Sequence, residues 1–104
     1  MAKSRKEQIE EMLQDEPNDH ELRYMLAMEH ASGGDDAGAV HVFEELIRRE
    51  PGYPPAYHMG ARALQRLGRI ADAQALLQRG IPIALRQGNQ HAAGEMQELL
   101  SQLE

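Results

Sequence analysis

An internal repeat limits the possible folds of this sequence more than any other property. Pro17 and Pro51 are separated by a fixed offset, and nine further pairs of identical residues share it. These pairs are Glu10/Glu44, Glu11/Glu45, Glu16/Glu50, Met25/Met59, Ala27/Ala61, Gly34/Gly68, Ala37/Ala71, Ala39/Ala73 and Ile47/Ile81. A period of about 34 residues is the length of a helix–turn–helix unit. The sequence therefore predicts an all-α chain of stacked helix pairs.

Capping residues and helix breakers divide the chain into six predicted helices. Ser4 can cap the first helix in a capping box with Glu7, and this helix should stop before Pro17. The residues that begin the five later helices are Asn18 or Asp19, Asp35 or Asp36, Pro54 or Pro55, Ile70, and Gln90. Their ends are expected near Ala31, Glu50, Leu67, Arg86 and Leu103. Pro82 lies inside the fifth helix, where its missing N–H and its ring predict a kink or a loosened turn.

Length, charge and cysteine content exclude several classes of protein. The 104 residues suffice for one domain with a modest core. The absence of cysteine excludes disulfides and thiolate metal sites and fits a reducing compartment, so we expect a cytoplasmic protein. No signal peptide and no membrane-spanning apolar run are found, so no membrane partner is expected. A net charge of −6 disfavours nucleic acid as a partner, because phosphate neutralisation needs a basic face.

When the two copies of the internal repeat are aligned, their residues resemble the tetratricopeptide repeat family. Helix pairs of that family carry small and large apolar residues at fixed places. The first repeat spans residues 20–53 and the second spans residues 54–87. The matching positions are Leu26, Ala27, Gly34, Ala39, Phe43 and Pro51 in the first repeat, and Tyr57, Gly60, Ala61, Gly68, Ala73, Leu77 and Ile81 in the second. The resemblance implies a right-handed superhelical array of antiparallel helix pairs. Residues 5–19 would form a preceding half repeat, and residues 88–104 a C-terminal capping helix.

Three positions depart from the family pattern. Arg23 and His30 stand where the family has aromatic residues, and Leu85 replaces the closing proline of the second repeat. Because leucine can continue a helix, the fifth helix should run on and the array should end there.

Small residues mark the places where helices should cross closely. Ala27 and Ala61 form one equivalent pair, and Ala39 and Ala73 form another. A larger side chain at any of them would overpack the contact and force the helices apart.

No constellation of catalytic or metal-binding residues is found in the sequence. The five histidines have no short metal-ligand spacing. Asp35 and Asp36 are explained as helix caps rather than as an acid–base pair. Gly33 and Gly34 lack the following lysine of a phosphate-binding loop. We therefore expect neither an enzyme nor a cofactor.

The resemblance implies a concave groove, lined by the first helix of each pair, that holds a peptide or a helix of a partner protein. The residues it assigns to this groove are Tyr24, Met28, His58, Met59, Arg62, Gln65 and Arg66, with Glu21 and Ala31 beside them. Arg62 and Arg66 lie one turn apart and either bind a partner's carboxylate or remain a solvated pair. Tyr24 and Met28 either form an apolar patch for a partner or are covered by the N-terminal helix. The family's lysine–asparagine clamp for C-terminal carboxylates is not reproduced.

Two functions are compatible with these patterns. The first is a non-enzymatic binding module that holds a partner protein in the groove. The alternative is a structural or assembly subunit that self-associates through its C-terminal helix or through the array ends. Met96, Leu99, Leu100 and Leu103 form an apolar stripe on the last helix that can either cap the array or pair two chains. Capping is the simpler arrangement, so we expect a monomer rather than a homodimer.

Overall fold

The computed structural model describes residues 2–104, which form six α-helices joined by short turns. The helices are α1 Arg5–Asp15, α2 His20–Ser32, α3 Asp36–Arg49, α4 Pro54–Arg66, α5 Ile70–Arg86 and α6 Gln90–Leu103. Within residues 2–104 there is no strand, so the predicted all-α array of helix pairs is confirmed. Each helix packs on the next, and α4 also contacts α6. None of the described helices has the length and apolar character needed to cross a bilayer.

Predicted capping residues begin α1, α2 and α3, which explains why the starts of these helices follow the sequence closely. Ser4 and Glu7 form a complete capping box at the start of α1. Asp19 caps α2 and Asp35 caps α3, each accepting a hydrogen bond from the backbone N–H three residues later. Asn89 caps α6 in the same way. These bonds satisfy N–H groups that have no partner inside the helix.

Three glycines with positive φ close the turns inside and after the repeats. Gly34 and Gly68 have φ of 82° and 77° and join the two helices of each repeat. Gly88 has φ of 73° and joins α5 to α6, where the earlier repeats have a proline-containing turn. Glycine adopts this left-handed conformation without a Cβ clash. The substitution of proline by Leu85 is therefore accompanied by a different turn, and α5 runs without a break through Pro82 to Arg86.

The core lies between the helices, and small residues are among its most deeply buried members. The four repeat-related alanines, Ala27, Ala39, Ala61 and Ala73, are all 0% exposed. Large buried side chains fill the space around them, and these are Ile9, Phe43, Leu46, Tyr57, Leu77 and Met96. The burial of these alanines agrees with the predicted close packing at their positions.

Gly80 allows the closest approach among α4, α5 and α6. A Cβ built on Gly80 would lie 2.6 Å from Tyr57 Cβ and 2.9 Å from Met96 Sδ. Ala93, Met96 and Leu99 of α6 are buried against the preceding helices. The last helix therefore folds back on the array, as expected of a capping helix.

Arg23, which departs from the family pattern, makes the same bond as its equivalent in the second repeat. Arg23 Nη1 donates to the Pro17 carbonyl at 2.8 Å. Tyr57, which occupies the equivalent position of the second repeat, donates through its hydroxyl to the Pro51 carbonyl at 2.7 Å. Two different side chains thus tie the first helix of each repeat to the turn that precedes it.

Candidate functional site

Helices α2, α4 and α6 border an open groove on one side of the molecule. The groove contains an apolar pocket of about 310 Å³ and, next to it, a polar cleft of about 120 Å³. The apolar pocket is lined by Tyr24, Pro54, Pro55, His58, Met59, Ala92 and Glu95. The polar cleft is lined by His58, Arg62, Glu95, Glu98, Leu99 and Gln102. His58 and Glu95 belong to both, so they mark the boundary between an apolar and a charged surface.

Tyr24 is held in place by aromatic neighbours from two other segments. Its ring makes edge contacts with Phe43 and Tyr53, with centroids 6.0 and 5.8 Å apart. Partial burial raises the pKa of Tyr24 above its ordinary value. Because edge-to-face aromatic contacts favour a defined orientation, Tyr24 presents a fixed apolar surface to the pocket.

His58 is the groove residue with a buried ring nitrogen that lacks a hydrogen-bond partner. Its Nε2 atom is shielded from solvent and has no hydrogen-bond partner among residues 2–104. Burial lowers the pKa of His58, and the charge of Arg62 lowers it further, whereas Glu95 opposes both effects. The imidazole is therefore favoured in its neutral form, in which one nitrogen donates and the other accepts.

Arg62 and Arg66 occupy different surroundings, although they lie one turn apart on α4. Arg66 Nε donates to Asp36 Oδ1 at 2.8 Å and so ties α4 to the first turn of α3. Arg62 lines the polar cleft together with Glu95 and Glu98. The structure therefore does not bring the two guanidinium groups together at one open carboxylate site.

The other residues assigned from the sequence are distributed along the same helices. Met59 lines the apolar pocket, and Met28 is half-buried against the core. Gln65 is exposed on α4 and lines neither pocket. Whether Met28 and Gln65 contact a partner stays a prediction.

The sequence assignment omitted the contribution of α6. The step from the start of α4 to the start of α6 is two residues longer than the step from α2 to α4, so the repeat offset misplaces the residues of α6. Ala92, Glu95, Glu98 and Gln102 nevertheless line the groove. The sequence of α6 did contain a signal for these residues, since Glu95, Glu98 and Gln102 lie outside the apolar stripe that packs on the array.

A second crevice of about 220 Å³ lies between α3 and α5, over α4. Its floor includes Phe43, Leu64 and Leu76, which belong to the core. Arg69 and Asp72 at its rim pair with each other at 2.9 Å. This crevice is thus the outer surface of the core, and the opposite charges of two side chains at its rim partly cancel. Among residues 2–104, no group of three or more histidine or acidic side chains is placed to hold a metal ion.

A sequence model of the family described as tetratricopeptide repeat matches residues 30–103. The solution NMR structure of a tetratricopeptide repeat domain protein from Salinibacter ruber is similar to this chain, with 33% identity and a TM-score of 0.80. That alignment covers 85% of this chain and 89% of the other. A crystal structure of the Salinibacter ruber domain gives 32% identity and a TM-score of 0.77, covering 82% of this chain and 94% of the other.

A more distant likeness supports the fold alone. The solution structure of a protein from Bordetella parapertussis is 24% identical, with a TM-score of 0.84. It covers 98% of this chain and 89% of that protein, so the likeness extends over all six helices. No curated protein matches the sequence.

Proposed function

Since this chain belongs to the tetratricopeptide repeat family, whose fold generally mediates protein–protein interaction, we propose that it is a non-enzymatic module that holds a peptide or helix of a partner protein in the groove between α2, α4 and α6. The cysteine-free sequence fits a reducing compartment, and a cytoplasmic location remains part of the prediction.

The observation that carries this proposal is the apolar pocket in the groove. Its walls come from three helices, and Tyr24 is fixed there by Phe43 and Tyr53. Rigid aromatic walls and proline rings bind an apolar side chain with little loss of conformational entropy. The adjoining charged residues can orient the bound segment, because polar groups at a pocket edge fix orientation and specificity.

The proposal is tested by mapping where a peptide binds. A random dodecapeptide phage library is selected on the immobilised protein, and an enriched peptide is titrated into nitrogen-15-labelled protein. We expect the amide resonances of His58, Met59, Ala92 and Glu95 to shift as the peptide binds.

Residues on the opposite surface provide the internal control for this titration. Glu44, Asp72 and Arg79 line the crevice between α3 and α5, and their amide resonances should remain in place. Shifts that concentrate on α3 and α5, or a selection that yields no binder, would contradict the use of the groove.

Self-association is a second candidate, favoured by an apolar edge at the end of the array. Leu85 is 51% exposed and lies on the same face of α5 as Ile81 and Gln74. Gln74 Nε2 donates to the Leu103 carbonyl at 3.1 Å, so this face runs beside α6. A further helix, or a second copy of the chain, could cover these side chains.

Light scattering on a size-exclusion column at two concentrations separates the two candidates. The binding module is expected to be a monomer at both concentrations. If a dimer forms through the α5–α6 edge, Leu85→Glu should dissociate it. Leu67→Glu is the matched control, because Leu67 is also exposed but lies in the turn before α5.

A further inference from the structure

The charges along the groove differ from those expected of a site for acidic partners. Arg66 is already paired with Asp36, so its guanidinium is occupied within the chain. The polar cleft contains Glu95 and Glu98 but only one arginine, Arg62. The groove is therefore acidic on its α6 side, in a chain whose net charge is −6.

A carboxylate on α2 lies near the aromatic pair of Tyr24 and Tyr53. Glu21 lies in the first turn of α2 and is exposed. Its charge helps raise the pKa of Tyr53, after burial and the neighbouring Tyr24, which places Glu21 close to the Tyr24–Tyr53 pair. Glu95 lines the apolar pocket itself, and Glu21 adds a second negative charge near the aromatic side chains that support Tyr24.

His58 and Glu95 lie at the point where the apolar pocket meets the polar cleft. The Nε2 atom of His58 is shielded from solvent, so a bound segment would meet the outer part of this side chain. Glu95 is exposed and shares its carboxylate with His91, whose Nε2 lies 3.2 Å away on the solvent side of α6. The carboxylates of Glu95 and Glu98 are thus the charged acceptors that line the cleft. An ammonium or guanidinium group supplies several donors and the complementary charge.

We propose, building on the groove function above, that the bound segment carries an apolar side chain next to a lysine or arginine. The apolar side chain enters the pocket bordered by Tyr24, Met59 and Ala92. The basic side chain lies in the polar cleft, where it pairs with Glu95 and Glu98.

The charges of the whole chain favour the same partner. An acidic protein attracts basic segments and repels acidic ones, which raises the association rate with the first class. Arg62 disfavours a basic group directly beside it, but it is outnumbered by the two carboxylates of the cleft.

The experiment compares one labelled peptide with its uncharged version. A peptide enriched in the dodecapeptide selection is synthesised with fluorescein, and a second peptide has each lysine and arginine replaced by glutamine. Binding of both is measured by fluorescence anisotropy to the wild type and to Glu95→Gln/Glu98→Gln. The matched control is Glu10→Gln/Glu44→Gln, which removes two exposed carboxylates outside the groove.

We expect the selected peptides to combine apolar with basic residues. Glu95→Gln/Glu98→Gln should lower the affinity for the charged peptide about tenfold, as for partly exposed charge-assisted contacts. The control variant should change this affinity less than about twofold. The glutamine peptide should bind both proteins equally. Added salt should lower the affinity for the charged peptide but not for the glutamine peptide, because salt screens the attraction between opposite charges.

Two contrary results have different meanings. The proposed partner chemistry is overturned if the selected peptides shift the groove resonances but lack basic residues. It is also overturned if they bind Glu95→Gln/Glu98→Gln as tightly as the wild type. Both results leave the groove function in place. Peptides that shift only resonances of α3 and α5 overturn the groove function itself. Thermal melting followed by circular dichroism shows that each variant is folded.

Discussion

At the scale of single residues, two glycines in helix interiors have opposite surroundings. A Cβ on Gly80 would lie within 3.0 Å of Tyr57 and Met96, which is closer than packed atoms approach. Gly94 in α6 has no atom within 4 Å of the same position. Helix propensity favours alanine at both sites, so packing alone distinguishes them.

Gly80→Ala and Gly94→Ala should therefore change stability in opposite directions. Gly80→Ala forces α4 and α5 apart and should lower the free energy of unfolding by about 1–3 kcal/mol, less the gain in helix propensity. Gly94→Ala should raise it by about 0.5–1 kcal/mol, because it restricts the unfolded chain. Urea denaturation measures both. Equal effects at the two sites would refute the close packing of Gly80.

Asp35 should make stability depend on pH. Its pKa is lowered because its carboxylate accepts hydrogen bonds from the Gly38 N–H and from His30. A carboxyl whose pKa is lower in the folded state stabilises the fold above its unfolded pKa, and this contribution is lost as the pH falls through the folded pKa. Asp35→Ala should therefore destabilise the protein at about pH 7 and much less at about pH 2.

Urea denaturation at both pH values checks this prediction. Glu10→Ala is the control, because Glu10 is exposed on α1. A difference between Asp35→Ala and wild type that is the same at both pH values would show that the charge of Asp35 does not contribute.

At the scale of helices and turns, the two repeats share a bond rather than a residue type. Arg23 and Tyr57 both donate to the carbonyl of the proline in the preceding turn. A guanidinium and a phenol differ in shape, but each reaches this acceptor from the first turn of its helix. Because each bond sets the direction in which the chain enters a repeat, its loss should affect both repeats similarly.

Tyr57→Phe removes one of these bonds and keeps the buried ring. The free energy of unfolding should fall by about 0.5–1.5 kcal/mol, as for an ordinary intramolecular hydrogen bond. Arg23→Met, which keeps most of the apolar stem, should give a similar loss. Tyr53→Phe is the comparison, and its effect should stay within about 0.5 kcal/mol. Chemical denaturation measures all three, and a neutral Tyr57→Phe would contradict a stabilising role for the bond.

At the scale of the whole molecule, the array is unevenly stabilised. Helix α1 packs on α2 and buries only Ile9 and Leu13. Helices α3, α4 and α5 have neighbours on both sides and contribute most of the buried core. In a stacked array each element depends on its immediate neighbours, so an end held on one side opens first.

Native-state hydrogen exchange should therefore show the fastest opening at α1. The amides of α1 should exchange through local opening, whereas those of α3 to α5 should exchange only on global unfolding. Ile9→Ala should accelerate exchange in α1 while leaving α5 nearly unchanged. Equal protection in α1 and α4 would indicate that the six helices unfold as one unit.

The sequence alone determined the number of helices, their boundaries and the repeat. Caps such as Ser4, Asp19 and Asp35 act on N–H groups within one turn, and glycines such as Gly34 act on their own backbone angles. These interactions are local, so a short stretch of residues contains all the information that they need. Of the groove residues predicted on α2 and α4, four line the two pockets, and these are Tyr24, His58, Met59 and Arg62. They could be located because α2 and α4 keep the offset of the sequence repeat.

Only the tertiary structure decided which side chains meet across the helices. The pairing of Arg66 with Asp36 joins two helices, and the acidic side of the groove comes from Glu95 and Glu98 on a helix displaced by two residues from the repeat. Such contacts depend on crossing angles and register, which result from the packing of the entire core. A local pattern cannot specify them, because a shift of two residues turns a helix by about half a turn and presents another face.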